Sequence, residues 1–168
     1  MSVAIPGVLK FFLFTVGAVA ITLAVTVMTG AKMGLFSGKR PADLGWSNGS
    51  FRAPDWRPNW VSSKADPKDE KHYTPPLDAR ADLKRAWAQL KAVVKDMPRA
   101  TIATEKDGYL HVEFASAGMG FVDDAEFALD EKAGVIQVLS GARMGVRDFD
   151  VNRKRVEAIR AELEVRLK

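Results

Sequence analysis

The side chains best placed to do chemistry are two neighbouring carboxylates, Asp123 and Asp124, and an arginine downstream of them, Arg143. Adjacent residues on a strand point to opposite faces, so the two acids must be judged in two environments. Asp123 shares its parity with Phe121, Ala125, Phe127 and Leu129, an apolar face on which an unpaired carboxylate costs several kcal/mol. It therefore needs a partner: the Ser140 hydroxyl, backbone donors around Arg147 to Asp150, or an arginine from the last helix. The first reading is a buried organiser that ties sheet to helix; the second is an acid of raised pKa in a pocket. Asp124 and Arg143 fall on the other face as diagonal neighbours and are expected to form an exposed ion pair. His111, Glu113, Glu126 and Gln137 join them in a polar patch. Such a patch could hold a divalent cation, but any sheet with one solvated face presents polar residues this way. With one histidine in reach and no ligand spacing, no metal is assigned. A hydrolase could be assembled from Ser62 or Ser63, His72 or His111, and Asp123, yet no nucleophile elbow surrounds either serine. No phosphate-binding or dinucleotide glycine motif is present, and no cofactor is expected.

The elements that must position these groups follow from periodicity. Leu83, Trp87, Leu90 and Val94 form an apolar stripe on a helix over Asp78 to Met97, stopped by Pro98. Two strands, Ala100 to Glu105 and Tyr109 to Ala115, flank Lys106-Asp107-Gly108. A three-residue loop there pairs Ile102 with Val112 and Thr104 with Leu110, whereas a two-residue Asp-Gly loop would turn Ile102 to the wrong side. Tyr109, His111 and Glu113 then face away from the core. A second hairpin turns at Glu131 to Gly134 and pairs Phe127 with Val138, Ala125 with Ser140 and Asp123 with Ala142. Val151 to Leu167 is the last helix, with Val156, Ile159, Leu163 and Leu167 as its stripe and Asp148 or Asp150 as its cap. The expected fold class is α+β: a four-stranded antiparallel meander with two helices in two layers, in the order α-β-β-β-β-α.

Upstream, Phe11 to Ala31 is a run of 21 residues without a charge. At about 1.5 Å per residue it spans a hydrocarbon layer of roughly 30 Å, and it is longer than the apolar core of a cleaved signal. It reads as an anchor touching lipid through residues 8–31. Lys32, Lys39 and Arg40 lean towards a cytoplasmic C-terminal domain, while a basic head before an apolar run is also how an export anchor begins. The next stretch carries Pro41, Pro54, Pro58, Pro67, Pro75 and Pro76 and is expected to run extended. Its large apolar groups set it apart from a solvated tether. Trp46 is assigned to the lipid headgroup level, and Trp56 and Trp60 to packing on the folded domain. The expected divisions are an anchor at 1–33, a Pro/Trp-rich arm at 34–77 and an α+β domain at 78–168. The absence of cysteine rules out disulfides, thiol catalysis and cysteine-ligated metals, and 25 basic against 21 interleaved acidic residues show no nucleic-acid stripe.

Four blocks carry a resemblance: P-N-W-V-S-S-K-A at 58–65, H-Y-T-P-P-L at 72–77, G-F-V-D-D-A-E-F at 120–127 and the run S-G-A-R-M-G-V-R-D-F-D-V-N-R-K-R-V-E at 140–157. In this order they resemble the bacterial and plant family called domain of unknown function 1499, over residues 41–166. The resemblance implies a small domain behind a membrane segment or export signal, with plant relatives in plastids, and no established reaction. The positions it carries over are Asn59, Ser62, Ser63, Asp123, Asp124, Arg143, Asp148, Asn152 and Arg153. Leu139, Ala142 and Asp150 stand where that family tends to have Arg, Ser and Gly, which weakens any two-arginine anion site here. The reading is a single-pass protein of the bacterial inner membrane with a periplasmic domain, acting as a non-catalytic binding or accessory module. The alternatives are a subunit of a larger membrane complex and an enzyme or metal- or anion-binding domain using Asp123, Asp124 and Arg143.

Overall fold

The computed structural model describes residues 7–32, 34–52, 54–79 and 82–168. Residues 1–6 and 33 of the expected anchor segment, and 80 and 81 of the expected first domain helix, lie outside the described residues. Helix α1 (Gly7–Lys32) contains an apolar span from Gly7 to Gly30 with mean hydropathy 2.3, almost all of it exposed, with Gly30 at its end buried beside Phe36. Its length and composition suffice to cross a membrane. The hydroxyls of Thr15, Thr22 and Thr26 each donate to the carbonyl four residues back at 2.9 Å, so these three polar groups are satisfied within the helix.

The remainder is an α+β fold. Strands β3 (Ala100–Lys106), β4 (Tyr109–Ala115), β5 (Val122–Asp130) and β6 (Val135–Ala142) form the expected antiparallel meander. The sheet is larger than expected, because two short strands from the proline-rich stretch add to β6. Strand β1 (Trp60–Ser62) pairs Trp60 with Gly141 and Ser62 with Leu139, and β2 (Leu77–Asp78) pairs Leu77 with Ile136. Three-residue and two-residue strands have too little alternation to be seen in a sequence, and proline density argued against them. Because Asp78 belongs to β2, helix α2 is shorter than expected. It runs Leu83–Asp96, capped by Asp82, whose carboxylate accepts from the Arg85 amide at 2.9 Å.

Both hairpins are informative. In the second, the pairs Phe127–Val138, Ala125–Ser140 and Asp123–Ala142 are as expected. In the first, Ile102 does pair with Val112, but Lys106 pairs with Tyr109 across a two-residue Asp107-Gly108 turn. The register shifts between Ile102 and Thr104. This bulge absorbs one residue and keeps Ile102 on the core side despite the tight turn, an option that strict alternation leaves out.

Helices α2 and α3 (Val151–Arg166) cover one face. Leu90 and Val94 from α2 and Val156, Ile159 and Leu163 from α3 are buried on Leu110, Val112, Ala125, Phe127, Ile136 and Val138. Each fully buried aliphatic side chain contributes about 1.5–3 kcal/mol relative to exposure. The other face was expected to be solvated and is not. Trp46 and Phe51, in edge contact with ring centroids 4.7 Å apart, pack on Tyr109, Ala128 and Leu139. Two of the three tryptophan assignments are therefore corrected. Trp46 packs on the sheet, while Trp56 is 79% exposed. Trp60 packs as expected, stacked on His72 at 4.0 Å with its indole N–H bonded to the Asp55 carbonyl.

Candidate functional site

Strand parity divides the candidate residues between two faces of the sheet, as the sequence implies. On the helix face, Asp123 is paired rather than free: Arg155 of α3 donates to it at 2.7 Å while lying 4.6 Å over the Phe114 ring. Of the partners considered for Asp123, the arginine of the last helix is the one present. The same guanidinium donates at 2.6 Å to the side-chain Oδ1 of Asn152, which also accepts from the Ser140 hydroxyl at 2.6 Å. The Asn152 amide group donates to Asp148 at 2.8 Å and to the Asn59 carbonyl at 3.2 Å. Asn59 in turn donates to the Gly145 carbonyl at 2.8 Å. Asp148, rather than Asp150, caps α3, accepting from the Asn152 amide at 2.9 Å. Asp150 makes no side-chain cap bond and has a left-handed backbone with φ of 63°.

Arg153 acts as a clamp on the stretch before β2, donating to the carbonyls of Glu70, Lys71 and Tyr73. Ser62 accepts from the Lys64 amide, and Ser63 exchanges bonds with Gln137 and the backbone of Val138. His72 bonds Asp69, and His111 bonds Asp124 at 2.7 Å. Neither serine meets a histidine side chain in these bonds, and Asp123 lies on the opposite face from His111. The hydrolase constellation is not assembled.

The outer face holds the densest charge. Arg143 grips Asp124 with two bonds, from Nε at 2.8 Å and Nη2 at 2.6 Å, and also donates to Glu113, which Arg40 reaches at 2.8 Å. The pair was expected to be exposed; instead the Asp124 side chain is 1% exposed and that of Arg143 6%. Burial pushes the Asp124 carboxyl up, but the bonds from Arg143 and His111 outweigh it and hold it below the ordinary aspartate value. Arg143 is itself pushed up, chiefly by its bond to Asp124. Glu113 follows the same logic, with burial opposed and outweighed by Arg143 and Arg40.

His111, Glu113 and Asp124 offer ligand atoms within 4.8 Å of one another. A cation seated there would have to displace Arg143 from both carboxylates and His111 from Asp124. The charge and the lone pairs are already committed to cations of the chain itself, so the donor set does not fit a metal.

One neighbouring acid is different. Glu126 is fully buried; one carboxylate oxygen accepts from the Tyr109 hydroxyl and from the Gly45 amide, both at 2.6 Å, while the other has no partner among the described residues. Desolvation raises its pKa above the ordinary glutamate value, and burial together with Glu126 raises that of Tyr109. A cleft of about 420 Å³ opens beside Tyr109 and His111, walled by Arg40, Leu44, Gly45 and Trp46. Sequence reasoning missed Arg40, Tyr109 and the burial of Glu126, because the segment covering them is distant in the chain. Arg155 was within reach, since it shares the sheet-facing arc of α3 with Asn152 and Ile159.

Neither a curated protein nor a solved structure matches the chain. The family described as protein of unknown function (DUF1499) does match, over residues 53–163, a span containing every one of the nine carried-over positions, and the chain belongs to that family.

Proposed function

We propose that the protein is a membrane-anchored, non-catalytic binding or accessory module of the cell envelope, held by α1 and presenting its α+β domain at the bilayer surface. The observation that carries this reading is how the candidate residues use their bonding capacity. Asp123, Asp124, Arg143, Asp148, Asn152 and Arg153 are each engaged with another side chain or with the backbone of the same fold. A catalytic group needs a free lone pair or proton aimed at a substrate. The bonds that these groups make are to the fold itself. Docking on a larger membrane complex is the second reading, favoured by the exposed apolar side chains described below.

The test is complementation of a deletion strain, scored together with the amount of folded protein that resists alkaline extraction from membranes. Arg143→Met strands the buried Asp124 carboxylate and is expected to lose about 3–5 kcal/mol of stability. Complementation should fall in proportion to abundance for this variant and for Asp123→Asn. A variant that accumulates normally in membranes yet fails to complement would place function at that residue and overturn the reading of these groups as architecture. Release of a shortened chain by alkali would overturn the anchor instead.

A further inference from the structure

We propose that the loops at the anchor end of the sheet form an apolar collar that inserts into the headgroup–acyl boundary of the same bilayer that α1 crosses. The inference rests on the anchor reading and adds a second, peripheral membrane contact. Loops that precede β5 and follow β6 lie at one end of the sheet, and the turns at Asp107-Gly108 and Glu131 to Gly134 lie at the other. The exposed apolar side chains concentrate at the first end. Phe149 is 83% exposed and Trp56 79%, with Val146, Met144 and Met119 also exposed.

The collar is continuous with the end of α1. After the helix, Leu35 donates its amide back to the Gly30 carbonyl and Phe36 packs on Phe121 with the rings tilted and their centroids 5.8 Å apart. Gly38 lies so close to Met144 that an added Cβ would come within 2.8 Å of its Cγ. Arg57, next to Trp56, donates to the Gly145 carbonyl at 3.3 Å, and Pro58 and Phe149 line one cleft. Loop tips this near the emerging helix cannot stand far from the lipid surface.

Phe149 is also held outward at some conformational cost. Phe149 and Asp150 both adopt left-handed backbone, with φ of 53° and 63°. A bulky residue rarely accepts that region unless its surroundings impose it. Asp148 imposes it here, accepting from the amides of Asp150 and Asn152 on either side of the turn. Exposed Lys39, Arg147 and Lys154 surround the apolar tips, the pattern of an interfacial contact in which aromatics enter the boundary and basic groups reach phosphates. Isolated in water, a patch of this kind is a liability. Beside a bilayer it has an occupant.

The chain lacks cysteine, so single cysteines can report position in the full-length protein. Phe149→Cys, Val146→Cys and Trp56→Cys, each carrying an environment-sensitive fluorophore, would be reconstituted in vesicles of phosphatidylethanolamine and phosphatidylglycerol doped with nitroxide lipid. Gly17→Cys, where a side chain meets no neighbour, reports insertion of α1. Lys132→Cys, at the far turn and about 26 Å away along the eight residues of β6, is the solvent control. The collar labels are expected to shift to the blue and to lose most of their emission to a shallow nitroxide, with the Lys132→Cys label unaffected. If Gly17→Cys is quenched and the collar labels are not, the lipid proposal is overturned, the anchor stands, and the patch belongs to a protein partner. Failure of the Gly17→Cys label to be quenched would remove the anchor reading and the collar with it.

Discussion

At the residue scale, two acids separated by one residue on one strand face have pKa values driven in opposite directions. Asp124 is held below its ordinary value by Arg143 and His111, whereas burial raises Glu126. The consequences for stability have opposite signs. For Asp124, the stabilisation is present above the ordinary aspartate value and is lost as pH falls through the depressed one. For Glu126, the protonated form is favoured in the fold, so its contribution is present below the ordinary glutamate value of 4.5 and is lost as pH rises through the elevated one. Neighbouring Arg143 neutralises the first acid, whereas among the described residues the second is bonded only by the Tyr109 hydroxyl and the Gly45 amide, and the more distant charges of Arg52 and His111 do not outweigh its burial. Glu126→Gln keeps an oxygen for Tyr109 and Gly45 and removes the titration. Urea unfolding of the detergent-solubilised protein across pH should show this variant gaining on the parent from the mildly acidic range upward, with the acid-side loss unchanged. A profile parallel to the parent's at all pH values would mean that Glu126 does not titrate above its ordinary range.

At the element scale, the edge strand β1 depends on one missing side chain. A Cβ on Gly141 would come within 3.0 Å of the Trp60 Cβ, tighter than nearly all such contacts. Trp60 cannot yield, since its ring is stacked on His72 and its indole bonded to Asp55. Gly141→Ala is therefore expected to cost about 1–3 kcal/mol as an overpacked site, read from the urea midpoint. Hydrogen exchange should place the loss of protection at Ser62 and Ser63 rather than in α2. The same strand shows where sequence reasoning stops. Long alternating runs and helical stripes were legible: β4, β5, β6 and the apolar face of α3 stand where Phe127, Val138, Ile159 and Leu163 put them. So was the division of Asp123 from Asp124. Burial of the outer face was not, because a strand's period marks two faces without saying what covers either. Leu77 fills the core as part of a two-residue strand, and Trp46 covers Leu139, through contacts that no local pattern encodes.

At the scale of the whole molecule, the chain builds outward from α1 in an order that sets which part can move. Residues 34–52 join α1 to the outer face, and their hold on the sheet is sparse: Phe51 is buried, Trp46 half-buried, Arg40 reaches Glu113, and the Gly45 amide reaches Glu126. Residues 42, 43 and 47–50 are exposed. By contrast, the helix face is closed by both α2 and α3 over one continuous core. A layer with few buried contacts opens at lower free energy than the core it covers. Removing the Phe51 ring takes away its main apolar attachment, a truncation that costs about 3–5 kcal/mol in a full core and less where the covering segment can lift away. Phe51→Ala should therefore uncouple this layer without unfolding the sheet. In the full-length protein in detergent, hydrogen exchange would accelerate across residues 40–51 and His111 would become open to acylation, while β5, β6 and α3 keep their protection. Loss of protection throughout the domain at once would show instead that the outer layer and the helix face form one cooperative unit. In that case the cleft beside Tyr109 and His111 could not open separately, and anything it admits would have to enter past Trp46 with the layer in place.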